Sequence, residues 1–180
     1  MKITLVDGSP SKYKNQNFAP DLAIELTNQG HHVHLIKVSE KKINYCNGCW
    51  SCWWKTPGLC VHKDDMPELY QNYMNSDLVL HFSPLEMGFV SSLLKTVNDR
   101  CVAQVHPYMA MVNGECHHQK RYEKYPLFGL IYDPANADAE DIQITKDLYD
   151  RMTLNFKTEM RVFTTNQKPM EELTDEINHI

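Results

Sequence analysis

No stretch of this chain approaches the ~20 consecutive apolar residues that a membrane helix needs. It has no excess of positive charge either. Eighteen Lys and Arg stand against 23 Asp and Glu, for a net charge of −5 with histidine neutral, and the basic residues are scattered. A nucleic-acid-binding surface would be basic, so that class is set aside. There is no G-x-G-x-x-G, which argues against a dinucleotide-type Rossmann site, and no G-x-x-x-x-G-K-[ST], which argues against nucleotide hydrolysis. No Ser/His/Asp constellation marks a hydrolase, and no repeat, low-complexity tract or linker divides the sequence. A length of 180 residues therefore reads as one domain over 1–180. A domain of that size buries roughly 70% of its unfolded surface, so disulfide staples are not needed. The opening "MKITLVDGSP" has an apolar run that Asp7 and Gly8 end too early for a signal peptide. The expectation is a cytoplasmic protein whose six cysteines stay reduced, so that clustered ones serve metal ligation or redox work.

What is present is an alternation of strands and helices. "KITLV" (2–6), "HVHLIKV" (32–38), "LVLHF" (78–82), "LFGLIYD" (127–133) and "EMRVFTT" (159–165) read as strands. Helical periodicity runs from Asn17 to Gln29, over 63–77 behind acidic residues and Pro67, over 89–105, from Ala137 to Phe156, and in the tail "KPMEELTDEINHI". "SPLEMG" (83–88) reads as a loop, and residues 106–126 follow no period. Strands that alternate with helices mean a parallel sheet covered on both faces. Ligands of such sheets sit outside the carboxyl ends of the strands. The loops after the first three strands are therefore expected to meet at one edge.

The first of these, "GSPSKYKNQN" (8–17), leads from a strand into a helix, where backbone N–H groups and the helix dipole favour a phosphate. Ser9, Ser11, Asn15 and Gln16 can add hydrogen bonds and Lys12 a charge; an ordinary strand–helix turn is the plain alternative. The second carries all three tryptophans and the spacing C-x2-C-x2-C-x7-C at Cys46, Cys49, Cys52 and Cys60, with Pro57-Gly58 placed to turn the last cysteine back. Consecutive C-x2-C steps wrap thiolates around one metal centre. Zinc would use the same four thiolates, and buried cysteines that only pack are the plain reading. Trp50, Trp53 and Trp54 read equally as core, dimer surface or lid. "HHVH" (31–34) reads as solvated surface rather than a metal site. "ECHHQKRY" (115–122) reads as a polar loop or dimer contact, or as an anion-binding patch through Lys120 and Arg121. Cys101 falls on an apolar helix face and reads as core.

Taken together, "GSPSK", "CNGCWSC…GLCVHKDDM" and "SPLEMGFVSSLLK" resemble the flavodoxin-fold NADPH-dependent FMN reductases, especially the iron–sulfur flavoproteins among them. The resemblance covers residues 1 to about 101. It implies an α/β, flavodoxin-like, doubly wound five-stranded parallel sheet in the order 2-1-3-4-5. It implies FMN, with Ser9, Ser11, Lys12, Asn15 and Gln16 around the phosphate and Pro84, Leu85, Glu86, Met87 and Gly88 along the ring. It further implies NAD(P)H as reductant, a small-molecule or protein electron acceptor, a homodimer or higher oligomer, and a 4Fe–4S cluster on the four cysteines. No catalytic side chain is needed, because the flavin carries the redox chemistry. The sequence departs from the family at Gln16, commonly Ser or Thr, and at Glu86 and Met87, commonly aromatic. Those departures keep a second expectation open: a non-enzymatic module of the same fold, with weakened flavin binding and an interaction surface made from residues 46–60 and 106–126.

Overall fold

The apolar run at the start of the chain forms β1 (Lys2–Asp7), buried from Ile3 onward. The computed structural model describes residues 1–180. α1 (Phe18–Asn28) follows and ends at Gly30, whose φ of 90° suits the left-handed position after a helix. β2 (His32–Lys37), α2 (Ser51–Trp54), α3 (Met66–Asn75) and β3 (Leu78–Glu86) come next. β4 (Phe89–Val90), α4 (Ser92–Arg100), β5 (Val105–Val112) and β6 (Glu115–Lys120) lead to β7 (Leu127–Asp133), α5 (Ala139–Phe156), β8 (Met160–Thr165) and α6 (Met170–Asn178).

The main sheet runs β2-β1-β3-β7-β8 with every neighbouring pair parallel, which is the flavodoxin-like order expected from the sequence. Side chains alternate across it, as a strand period of two requires. Leu78, Leu80 and Phe82 of β3 face a layer with Leu22 and Leu26 of α1 and Ile177 of α6. Val79 faces the opposite layer, with Tyr73 of α3, Leu94 and Val97 of α4, and Tyr149 and Phe156 of α5. Burial of one such side chain contributes about 1.5–3 kcal/mol, so these two layers fix the fold. His81 is fully buried in the second layer, between the hydroxyls of Tyr73 at 2.8 Å and Tyr149 at 3.2 Å.

Three local readings change. The first four residues of "SPLEMG" continue β3 instead of looping, because β7 pairs with it through Ser83 and Pro84, and β4 folds back on Leu85 and Glu86. Proline is tolerated there because β1 has already ended, at the Asp7–Phe82 pair. The helix expected over 89–105 is shorter: Phe89 and Val90 go to β4, and the Ser91 hydroxyl caps α4 by accepting from Leu94 N–H. Residues 106–126, which follow no period, hold most of the β5–β6 hairpin, whose turn puts Asn113 and Gly114 both at positive φ (51° and 82°). An Asn-Gly pair between strands is the characteristic signal for such a turn, and it is legible in "VNGE". No helix is long and apolar enough to cross a membrane.

Candidate functional site

The chain leaves β1 through a very tight turn. A Cβ on Gly8 would lie 2.6 Å from Leu94 Cβ, so only glycine lets this loop lie against α4. Gly8 N–H donates to the Phe82 carbonyl at 2.9 Å, and the Ser91 hydroxyl donates to the Gly8 carbonyl at 2.5 Å. These bonds set Ser9 at the strand end, 4% exposed, with a side-chain oxygen that has no partner. Ser9, Ser11 and Gln16 line a polar cavity of about 130 Å³, which Asp7, Lys37 and Glu40 share. α1 begins beside this loop without a side-chain cap, so its first N–H groups keep their positive end available. Burial raises the Asp7 carboxyl, against the hydrogen bond it accepts from the Ser9 N–H at 2.9 Å and the charge of Lys37.

Lys12 and Asn15 do not line that cavity. Asn15 donates instead to Asp133 at 3.1 Å, and Gln16 is held through its amide by the Ser11 carbonyl. Asp133 ends β7 and is 5% exposed. Its carboxylate accepts from the Tyr13 hydroxyl, Asn15, Asn166 at 3.4 Å and the Ala135 N–H at 2.9 Å. Burial alone would raise this carboxyl, but the donors outweigh it and hold it below the usual range. Asp133 thus knits the first loop to the ends of β7 and β8. The sequence reading missed it, together with Tyr13 and Asn166; the available signal was an acid on the last residue of a buried strand.

Along the candidate ring-binding segment, Pro84 and Leu85 are buried, and Leu85 belongs to the core. Glu86 is exposed and Met87 fully so, at the tip of the β3–β4 turn, where Met87 and Gly88 both have positive φ (52° and 79°). The exposed part of this segment is therefore its tip.

The cysteine segment is held by contacts of its own. It shares no lining residue with the Ser9 cavity. It packs against the far end of α4 and against the hairpin. Trp53 Nε1 donates to the carbonyls of Val102 and Val105, both at 3.1 Å, and its ring lies 5.3 Å from that of His118. Trp50 and Trp54 stay 65% and 71% exposed. Gly58, at a φ of 85°, donates to the Cys52 carbonyl at 3.1 Å and accepts from Gln104 Nε2 at 2.9 Å, which turns the chain back toward Cys60. Cys46, Cys49, Cys52 and Cys60 all line one pocket. The Cys49 thiol is lowered by hydrogen bonds from Ser51. The Cys52 thiol is raised by burial and then by the charges of Cys60, Cys46 and Cys49. Four thiols around one space form a donor set that a cationic iron centre would bind with loss of their protons. No three His, Cys, Asp or Glu side chains are arranged on a single metal ion. Zinc would take the same four thiolates in one tetrahedron, and a four-iron cluster would take them one to each iron.

Beneath the arm, Arg100 and Asp64 form an ion pair whose side chains are 1% and 0% exposed, at 2.7 Å. Burial works against the Asp64 carboxyl's charge. Hydrogen bonds from Arg100, Asn44 and the Met66 N–H still hold it well below the carboxylate range. Cys101 sits in the core, and burial pushes its thiol up to about 12, which leaves it inert.

The fold and its strand-end loops define a flavodoxin-like α/β protein of the flavin-reductase type. The chain belongs to the NADPH-dependent FMN reductase family, whose profile matches residues 1–121. It is 42% identical over 107 residues to an iron-sulfur flavoprotein of Archaeoglobus fulgidus, covering 59% of this chain and 48% of that one. It is 41% identical over 104 residues to an iron-sulfur flavoprotein of Methanocaldococcus jannaschii, covering 57% and 52%. The chain thus spans about half the length of these curated relatives. A solved flavone reductase superposes with a TM-score of 0.60 at 13% identity, over 99% of this chain and 58% of that one, a likeness of fold alone.

Proposed function

We propose that this protein is an FMN-binding electron-transfer oxidoreductase that also carries a 4Fe–4S cluster on Cys46, Cys49, Cys52 and Cys60. The observation that carries the reading is the convergence of these four cysteines, drawn from a fifteen-residue segment, on one pocket. It is supported by relatives named iron-sulfur flavoproteins. The pocket is narrow, about 20 Å³, so the exposed arm from Cys46 to Cys49 must open outward to admit a cluster.

The unpartnered Ser9 hydroxyl, Ser11 and Gln16 fit the FMN phosphate at the uncapped start of α1. Lys12 adds charge from the exposed side of the loop. Asn15 acts through Asp133, fixing the loop rather than touching the ligand. The β3–β4 tip, with Glu86, Met87 and Gly88, borders the ring. When bound, FMN supplies the conversion between two-electron and one-electron chemistry. The chain supplies position and field: Asp133 keeps the rim rigid, and Tyr13, raised by burial and by Asp133, keeps its proton. NAD(P)H is the reductant, and a small molecule or a protein is the acceptor. Exposed Trp50, Trp54, Tyr108, Met109 and Met111 suit a homodimer or higher oligomer.

The test is the visible spectrum of protein purified without air. Flavin bands that persist through gel filtration, with a broad brown absorbance bleached by dithionite, are expected. A colourless protein that takes up no added FMN would contradict the proposal.

A further inference from the structure

Two buried side-chain nitrogens at the thiol pocket have no partner. Arg100, 1% exposed, donates through Nη1 to the Asn44 carbonyl and to Asp64 Oδ2, both at 2.7 Å, and through Nη2 to Asp64 Oδ1 at 3.1 Å. Its Nε is buried and unpaired. His62, two residues beyond Cys60, has an Nε2 that is equally buried and unpaired. Both residues line the pocket that the four cysteines line. A buried polar group left unpaired costs about 1–3 kcal/mol, so two at one pocket are a large standing cost unless the pocket's occupant bonds to them.

We propose that the His62 Nε2–H and Arg100 Nε–H donate hydrogen bonds to the sulfur atoms of the cluster and set its reduction potential. This inference rests on the cluster reading above. The sulfurs of an iron–sulfur centre gain negative charge on reduction, so N–H donors favour the reduced form and raise the potential. Arginine fits the position for a geometric reason. Its planar fork binds both oxygens of Asp64 and still directs a third N–H elsewhere, which a lysine ammonium cannot do from the same seat. The paired Asp64 offsets the guanidinium charge, so what reaches the pocket is chiefly an N–H dipole. His62 acts through the ring form that carries a proton on Nε2.

The experiment compares the wild-type protein with His62→Leu and His62→Gln, all purified without air. Iron, acid-labile sulfide and the cluster midpoint potential are measured, the last by EPR-monitored titration. Leucine removes the donor, whereas the glutamine amide can place an N–H near the Nε2 position. The expected result is a more negative potential in His62→Leu and a potential near wild type in His62→Gln. Loss of the cluster in His62→Leu but not in His62→Gln would also support the donor. An unchanged potential in His62→Leu, or equal shifts or equal loss in both variants, would overturn it. Wild-type protein without labile sulfide would instead overturn the cluster reading on which the inference rests. A second readout is the reduced cluster's coupling to exchangeable protons, seen on transfer to deuterated water. That coupling is expected to weaken in His62→Leu, and full retention would count against the assignment.

Discussion

The rim of the candidate flavin edge and the cysteine arm sit in one chain but are held by different means. The rim is made of strand ends, and sheet pairing places Asp7, Glu86 and Asp133 at one edge. One carboxylate, Asp133, then ties the first loop to β7 and β8. The arm has a single four-residue helix of its own. Its shape comes from outside: the Arg100–Asp64 pair, the Trp53 indole on the carbonyls of Val102 and Val105, and Gln104 on Gly58. All three attachments draw on the end of α4 and the segment after it. The contrast teaches that the edge is a product of topology, whereas the thiol pocket depends on a few polar contacts made far away in sequence.

The largest effect is expected from Asp64→Ala. It leaves Arg100 buried and unpaired, a loss of about 3–5 kcal/mol, and it frees the arm at Asn44 as well. Chemical denaturation should show the loss, and iron content should fall with it while the flavin-edge contacts of Asp133 stay intact. Equal loss of flavin and iron would break the distinction between the two regions.

Acid comes next. Burial holds the His81 ring at about 3, down from 6.5, so the folded state keeps it neutral. A base depressed on folding contributes stability above its unfolded value and loses it as pH falls toward its folded value. Asp64 and Asp133, both depressed, lose theirs in the same direction below 3.8. Asp7, raised by burial, runs the opposite way and offsets a part. The protein should be about 3 kcal/mol less stable near pH 4 than near pH 7 from His81 alone. His81→Phe should remove most of that dependence, and a pH profile unchanged in the variant would exclude His81 as its source.

A smaller effect is expected from Asp133→Asn. Its amide cannot accept from four donors, so the first loop loosens by about 1–3 kcal/mol. Calorimetric FMN affinity should fall by one to two powers of ten, with iron retained. The smallest effect on the fold belongs to Ser9→Ala. It deletes a buried hydroxyl that has no partner, so melting should stay level or rise slightly. FMN affinity should nonetheless fall about tenfold, for one lost bond to a charged phosphate. Unchanged affinity would remove Ser9 from the site.

Much of the fold was legible in the sequence because strand runs such as "LVLHF" and helix faces such as Leu22 and Leu26 carry their periods openly. Of the β5–β6 hairpin only the Asn113-Gly114 turn carries a signal; its strands do not, because His117 and His118 alternate poorly and its faces pack on α5 and the arm rather than on the main sheet. At the site, the residue types in "GSPSK" and the cysteine spacing were readable, since glycine, serine and thiol carry their chemistry locally. The roles of Asp133, Asn166 and Arg100 were not, because each acts through partners about 33 to 120 positions away along the chain. The same lack of long-range information hid the anchoring of the cysteine segment, through Trp53 and Gly58, on Val102, Gln104 and Val105.

The most direct measurement is the content of iron, acid-labile sulfide and FMN per chain in Cys49→Ala beside the wild type, both purified without air. The wild type should hold four irons, four sulfides and one FMN. Cys49→Ala should lose most of the iron and sulfide while keeping its flavin. Wild-type protein that holds flavin but no labile sulfide, or a Cys49→Ala protein with its iron unchanged, would contradict the cluster assignment.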